Sequence, residues 1–431
     1  MSGYVAVVGL GYVGLPLAVS FAAAGQAVIG VDTSPAVRRA VRESRAPFFE
    51  PGLDAALAAL PEGLLAVADA LPEEPPDTVV ICVGTPVDRA TDEPDLTNLA
   101  AAVDTVAPRI GAQTLVVVRS TVPVGTCRGV VLPRLLERHP QPHLAFAPER
   151  MIQGRALAEM SSLPQIIGGL DERSVLRAAE LHAVLGSDPV TVSSLEAAEM
   201  IKLICNAHTD LIYGFGNEVA LMASALGLDA EELIRSANLR YPRPDLSRPG
   251  YVGGSCLTKD PYLLMHSAAS AGYRPPMVEA ARRVNESVPN LLARSLLDEL
   301  ARTGVAPSRA KVLVCGMAYK GRPETDDVRG SAAGPVAELL GGAVATLAGH
   351  DFRVPPEQIK ALGFEPMALD DGLAGADAVL LLTDHEDYGK LTADLLRPLL
   401  RGPRLVLDTW GLLDTTLSNE PELRYLRFGR G

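Results

Sequence analysis

The chain has 431 residues, of which 48% are hydrophobic and only 4% aromatic, so it holds core material for two or three domains rather than one. Its formal net charge of −13 excludes nucleic acid and anionic membrane surfaces as partners, since both require a basic face; any anionic ligand must meet local positive charge. No basic leader precedes the opening MSGYVAVVGLGYVG and no apolar run reaches membrane length, so neither a signal peptide nor a membrane span is expected. Five cysteines without CxxC spacing fit reduced thiols in a cytoplasm, not a disulfide framework or a metal site.

The first half alternates apolar runs with helical stretches: VAVVGL, QAVIGVD, DTVVICVG, TLVVVRST and PHLAFAPE. That alternation predicts an α/β fold with a doubly wound parallel sheet. PEEPPD before Thr78 reads as a stiff surface loop. From about Ser194 the pattern changes to long amphipathic segments, LEAAEMIKLICNAHTDLIYGFGNEVALMASALG and MVEAARRVNESVPNLLARSLLDELART, a helical middle domain. Near Ala310 strands return as AKVLVCGMAY, AVATLAGHDF, ADAVLLLTDH and RLVLDTW. The expected boundaries are 1–193, 194–305 and 306–431, with no short-period repeat. A middle helix long and apolar enough to bury against a twin suggests a homodimer.

GLGYVG sets Gly9, Gly11 and Gly14 between the first strand and a helix expected near Pro16, with Tyr12 and Val13 inside the turn. In a dinucleotide fingerprint the first glycine makes the turn, the second admits the pyrophosphate and the third lets helix pack on strand. Asp32 ends the next strand, suited to a ribose 2′-hydroxyl and repulsive to a 2′-phosphate, which selects NAD over NADP. Thr85, Pro86, Ser120 and Thr121 come after later strands and line the crevice, or else cap helices.

Three further sites carry chemistry. Cys256, in GGSCLTKD, has glycines that admit a ligand on one side and Lys259 on the other, whereas Cys82, Cys205 and Cys315 sit in apolar patterns expected to be core. Lys202 and Asn206, spaced i, i+4, project from one helix face and either hold a developing oxyanion or are, as spacing alone favours, a solvated lysine with an asparagine nearby. Glu149 comes after the strand HLAF and is either a general base or a surface carboxylate paired with Arg150.

Taken in order, GLGYVGLP, FFEPGL, CVGTP, STVPVGT, PER, the Lys202 and Asn206 helix, GGSCLTKD and YKGRPETDDVRGS resemble the nucleotide-sugar 6-dehydrogenase family nearly end to end. The resemblance implies two Rossmann-like domains joined by a dimerising helical segment, the N-terminal one holding NAD and the C-terminal one the nucleotide sugar. It implies a cytoplasmic enzyme that oxidises a C6 alcohol to the carboxylate in two hydride transfers. Cys256 would form a thiohemiacetal and then a thioester, with Lys202 and Asn206 stabilising oxyanions and Asp260 assisting proton transfer. Glu149 would serve hydrolysis, and Thr121 would place a water or the hydroxyl. Substrate contacts would come from Glu149, Arg150, Lys202, Asn206, Tyr251, Gly253, Lys320 and Arg329, with Arg240 or Arg243 from a neighbouring subunit. Thr209 before Asp210 departs from the arginine of members that carry PER, and Ser255 from the His that N-acetylmannosamine members place before the thiol, so hexose and base stay open, a dTDP sugar included. The rival reading is a two-electron hydroxyacid-type dehydrogenase, which leaves Cys256 and the last domain unexplained.

Overall fold

The structure, a computed structural model, describes residues 3–242 and 245–431. The chain forms two compact units, one running to Asn206 and including Lys259–Arg274, the other made of Ala207–Thr258 and Pro275–Gly431. The helical segment expected over 194–305 is therefore shared between them.

The first unit is built on β1 (Val5–Val8), β2 (Val28–Val31), β3 (Leu65–Ala68), β4 (Thr78–Ile81), β5 (Leu115–Val118), β6 (His143–Phe146), β7 (Gln165–Gly169) and β8 (Pro189–Thr191). Their order is β3-β2-β1-β4-β5-β6-β7-β8. β1 pairs with both β2 and β4 in parallel, Val5 opposite Val28 and Thr78, so the order reverses beside β1. Strands β4, β5 and β6 are buried along their whole length, which explains why TVVI, LVVV and HLAF read as unbroken apolar runs. The sheet departs from the purely parallel expectation at β7, which pairs antiparallel with β6. β3, β7 and β8 were not anticipated; β8 is exposed at all three residues and carries no hydrophobic signal.

The second unit holds β9 (Lys311–Cys315), β10 (Thr346–His350), β11 (Glu365–Pro366), β12 (Ala378–Leu381), β13 (Leu405–Asp408) and β14 (Arg424–Arg427). Their order, β11-β10-β9-β12-β13-β14, repeats that of the first six strands of unit one, and every pair is parallel. Both units thus have the doubly wound order, with a switch point beside the first strand.

The likeness reaches single residues. Gly9 comes directly after β1 with φ +92° and donates to Val31 O at 2.7 Å, while Leu10 N donates to Asp32 Oδ2 at 2.8 Å. Gly316 comes directly after β9 with φ +95° and donates to His350 O at 2.9 Å, while Met317 N donates to Asp351 Oδ2 at 2.7 Å. GLGYVG from Gly9 and GMAYKG from Gly316 match position for position in this geometry. The two turns differ in the helix beyond them. Helix α1 (Gly14–Ala23) begins at the last glycine of the first turn, two residues before Pro16, whereas after the second turn no helix begins until Ala333.

Candidate active site

The first unit carries the dinucleotide turn. A Cβ on Gly14 would lie 1.8 Å from Gly9 O, so helix and strand meet at a distance that only glycine allows. A Cβ on Gly11 would meet no protein atom within 4 Å; the open side of the turn faces ligand space. Asp32 spends one oxygen on the turn, accepting from Leu10 N, and the other on Ser34 N at 2.8 Å, which fixes its position at the end of β2. Tyr12 packs on Phe48 with ring centroids 4.2 Å apart, tying the FFEPGL segment to the turn, and Val13 stands as the residue before α1. This turn, with a helix N-terminus behind it, fits the pyrophosphate of NAD.

Thr85 and Ser120 do not cap helices. Thr85 Oγ1 donates to Thr121 O at 2.5 Å and Ser120 Oγ to Val83 O at 2.7 Å, so these hydroxyls clamp the loops after β4 and β5 together. Pro86 lies exposed beside them.

Also in unit one, helix α2 (Leu195–Ala225) brings Lys202 and Asn206, and helix α4 (Asp260–Ser270) opens with Asp260. Asn206 Nδ2 donates to Asp260 Oδ2 at 2.5 Å, and Lys259 Nζ sits 2.9 Å from Asp260 Oδ1 and 3.4 Å from Thr85 Oγ1. Asparagine, aspartate, lysine and threonine therefore form one polar chain. Lys202 is buried, 7% exposed, and among the described residues no hydrogen bond or ion pair engages its ammonium.

Glu149 is neither at the surface nor paired with the Arg150 side chain. Arg119, wholly buried, donates from Nε and Nη2 to Glu149 Oε2 at 2.9 and 2.5 Å, and the amides of Arg150 and Met151 donate to Oε1 at 2.6 and 2.7 Å. The Arg150 guanidinium instead reaches Pro164 O at 3.2 Å. Arg119 also donates to Ala147 O and Gln165 Oε1 and lies 3.3 Å from His182 Nε2, on the helix Glu172–Ala183. Burial, and then the Arg119 charge, push the His182 pKa down to about 3, so the imidazole is neutral. Arg119 was not among the residues expected from the sequence; its signal is a charge directly after the all-valine end of β5.

The second unit holds Cys256 on the short helix α3 (Gly254–Leu257), with the thiol exposed. Gly254, at φ +91°, packs so that a Cβ would lie 2.7 Å from the Tyr319 ring, and its amide donates to Gly330 O at 3.1 Å. GGSC and YKGRPETDDVRGS, far apart in sequence, meet here. Lys320 Nζ lies 5.3 Å from the Tyr319 ring centroid, and Arg329 grips Asp327 at 2.8 and 2.7 Å. Tyr251 and Gly253 are buried, and Arg240 is exposed with φ +55°. Arg243 lies outside the described residues.

The other thiols divide differently from the expectation. Cys127 and Cys315 are buried and Cys82 half-buried, but Cys205 is exposed, because the α2 pattern that buries Leu203 turns the Cys205 face outward. Burial pushes Cys82 up to about 12 and holds Cys127 and Cys315 well above the ordinary thiol range, so none of the three supplies a thiolate. Among the described residues no cluster is suited to a metal ion.

Three models of one family match in chain order: the UDP-glucose/GDP-mannose dehydrogenase NAD binding domain over residues 4–185, its central domain over 196–287 and its UDP binding domain over 313–415. The chain belongs to the UDP-glucose/GDP-mannose dehydrogenase family. It is 33% identical to a UDP-N-acetyl-D-mannosamine dehydrogenase of Pyrococcus horikoshii, covering 99% of each chain. The solved structure of a UDP-D-ManNAc dehydrogenase from Pyrococcus horikoshii superposes with a TM-score of 0.89 at 32% identity, covering 99% of each chain. A UDP-glucose dehydrogenase from Pyrobaculum islandicum superposes with a TM-score of 0.83 at 30% identity, covering 95% of this chain and 94% of that one. This family member is an NAD-dependent nucleotide-sugar dehydrogenase, an oxidoreductase acting at C6 in two steps. The two-electron hydroxyacid reading falls with that assignment.

Proposed function

We propose that this dehydrogenase converts a UDP-N-acetylhexosamine, of the N-acetylmannosamine type, to its uronate. The support for the sugar is the end-to-end likeness to a UDP-N-acetyl-D-mannosamine dehydrogenase. The observation that carries the chemistry is Lys202, whose stem is buried and whose ammonium has no anion of its own among the described residues. An ammonium left without a protein partner is placed to meet an oxygen anion that develops during reaction.

In the proposed reaction the C6 alcohol loses a proton and a hydride to become an aldehyde. The Cys256 sulfur then adds to the carbonyl carbon, giving a thiohemiacetal, whose loss of a second hydride and proton leaves a thioester. Water attacks that thioester, the C–S bond breaks, and carboxylate and thiol are released. The turn at Gly9, Gly11 and Gly14, with Asp32, would hold NAD, which would supply the hydride acceptor for each oxidation. Lys202 and Asn206 steady the oxygen as it gains charge, and Asp260, fixed between Asn206 and Lys259, assists proton movement. Thr121 positions the hydroxyl or water. Glu149, its oxygens engaged by Arg119 and two amides, shapes the region for hydrolysis rather than taking a proton freely. Lys320 and Arg329 supply the cations for the nucleotide, together with Arg240 or Arg243 of a second subunit.

The partition we propose assigns 1–193 to NAD, 194–305 to the helical part and 306–431 to the nucleotide sugar, in a cytoplasmic homodimer. No helix among the described residues is long and apolar enough to cross a membrane. Met200, Ile204, Ile212, Phe215 and Met222 leave α2 with an exposed apolar face, which a second copy would cover. Light scattering tests this: the parent should have twice the chain mass and Phe215→Asp the monomer mass.

The deciding assay is NADH yield at substrate exhaustion with UDP-N-acetylmannosamine, UDP-N-acetylglucosamine, UDP-glucose and dTDP-glucose, each alone. Two NADH per UDP-N-acetylmannosamine is expected; two on UDP-glucose and none on the N-acetyl sugars would overturn the substrate.

A further inference from the structure

Helix α3 has four residues, too few to hold its own shape. Yet it presents Cys256, the nucleophile of the proposed reaction, on an exposed turn. Something outside the turn must fix it, and the second unit contains a device for that.

The segment Gly250–Leu257 is gripped at both ends. At its start Gly250 N donates to Asn217 Oδ1 at 2.8 Å, and at its end Leu257 O accepts from Arg282 Nη1 at 2.7 Å. The two grips are joined. Arg282 Nη1 also donates to Asp210 Oδ1 at 2.7 Å, and Asn285 Nδ2 donates to the same oxygen at 2.9 Å and to Asp210 O at 3.0 Å. Asn217 Nδ2 completes the path by donating to Asn285 Oδ1 at 2.8 Å. Asp210 and Asn217 lie on α2, Arg282 and Asn285 on α5 (Pro276–Arg302), and all four are at most 1% exposed.

We infer that Arg282 is a positioning residue for Cys256, acting through the Leu257 carbonyl and itself aimed by Asp210 and Asn285. A simpler pairing of α2 with α5 would be served as well by apolar side chains, because burying an ion pair seldom adds stability over a packed hydrophobic contact. What an apolar pair cannot supply is a directed donor to the last carbonyl of the nucleophile's turn. The network is also under-satisfied: Arg282 Nε and Nη2 and Asp210 Oδ2 are buried without hydrogen bonds, although Glu286 Oε1 stands 3.5 Å from Arg282 Nε. Unspent hydrogen-bonding capacity of that kind is tolerated where geometry, not stability, is being selected.

The inference rests on the reading of Cys256 as nucleophile, so the test separates the two. Full-length parent, Arg282→Lys, Asp210→Asn and Cys256→Ser are compared by amide hydrogen exchange and by acid formation from UDP-N-acetylmannosamine. In Arg282→Lys and Asp210→Asn, exchange across residues 250–258 should quicken about tenfold, the scale of one charged hydrogen bond, while β1, β4 and β5 exchange as before. Acid formation should slow about tenfold with KM within twofold of the parent. Should Arg282→Lys not fold, Asp210→Asn, which keeps volume and removes only charge, carries the same readouts. Exchange and turnover both within twofold of the parent would overturn the inference. Two NADH per sugar from Cys256→Ser would instead overturn the nucleophile reading, and with it any catalytic meaning for Arg282, even if exchange had quickened.

Discussion

Replacing Glu149 with glutamine tests whether that carboxylate is first of all a counter-ion. The glutamine keeps the shape, and its carbonyl oxygen can still accept from the amides of Arg150 and Met151, but the charge facing Arg119 is gone. Arg119 has no exposure to water, and its other neighbours, Ala147 O, Gln165 Oε1 and the neutral His182 ring, carry no negative charge. Stranding one partner of a buried pair costs about 3–5 kcal/mol. For a unit of this size each kcal/mol is worth roughly 2–4 °C, so the first unit of Glu149→Gln should melt about 6–20 °C below the parent. The assay is calorimetry on Glu149→Gln, Arg119→Met and the double variant. The double, which leaves no charge unpaired, should be less destabilised than the sum of the singles by at least about 1.5 kcal/mol. A Glu149→Gln protein melting within about 2 °C of the parent, or strict additivity, would refute the reasoning and return Glu149 to the role of a free general base. Any turnover loss in this variant must therefore be measured well below its transition.

Lys202→Met should behave oppositely: with no ion partner to strand, its melting temperature stays within a few degrees of the parent, while kcat falls by about 10²–10³, the scale of one lost oxyanion donor. Gly11→Ala should fold normally, since its Cβ meets no protein atom, yet raise the NAD Kd more than tenfold in a fluorescence titration; Gly14→Ala, colliding with Gly9 O, should instead lower the melting temperature. His182 has a folded pKa near 3 against 6.5 for the free side chain, so the unfolded chain takes up the proton first. Its contribution to stability is complete above pH 6.5 and is lost by up to about 1.4 kcal/mol per pH unit as pH falls toward 3. Urea melts of His182→Gln between about pH 7 and 4.5 should show a flatter decline than the parent, and parallel curves would contradict the assignment.

Legibility in the sequence tracked the range of the interactions. The turn at Gly9 and the acid at Asp32 could be read because a strand, a turn and the next strand end are local, and the buried central strands because both their faces need apolar residues. Strands β8 and β11 escaped because an edge strand needs no hydrophobic run; β8 is PVT, exposed throughout. Cys205 was misplaced because its apolar neighbours on an amphipathic helix were taken to mark its own face as the buried one. Arg119, Arg282 and Asp210 were invisible as functional groups because their meaning lies in partners 25 to 75 positions away. One signal was there to be found: GLGYVG and GMAYKG can be laid on each other by eye.

Those two turns share a backbone geometry and differ in what they present. Where the first has the bare Gly11, with no protein atom beside it, the second has Ala318, packed into the core of its own unit, and where the first has Val13 the second has Lys320. The first turn delivers positive potential through a helix N-terminus, a field with no side chain to move. The second has no helix beginning there, and a long-stemmed ammonium and the arginines of the loop before Ala333 stand in its place. One backbone turn is thus finished in two ways, as bare main chain running into a helix and as charged side chains carried on a loop.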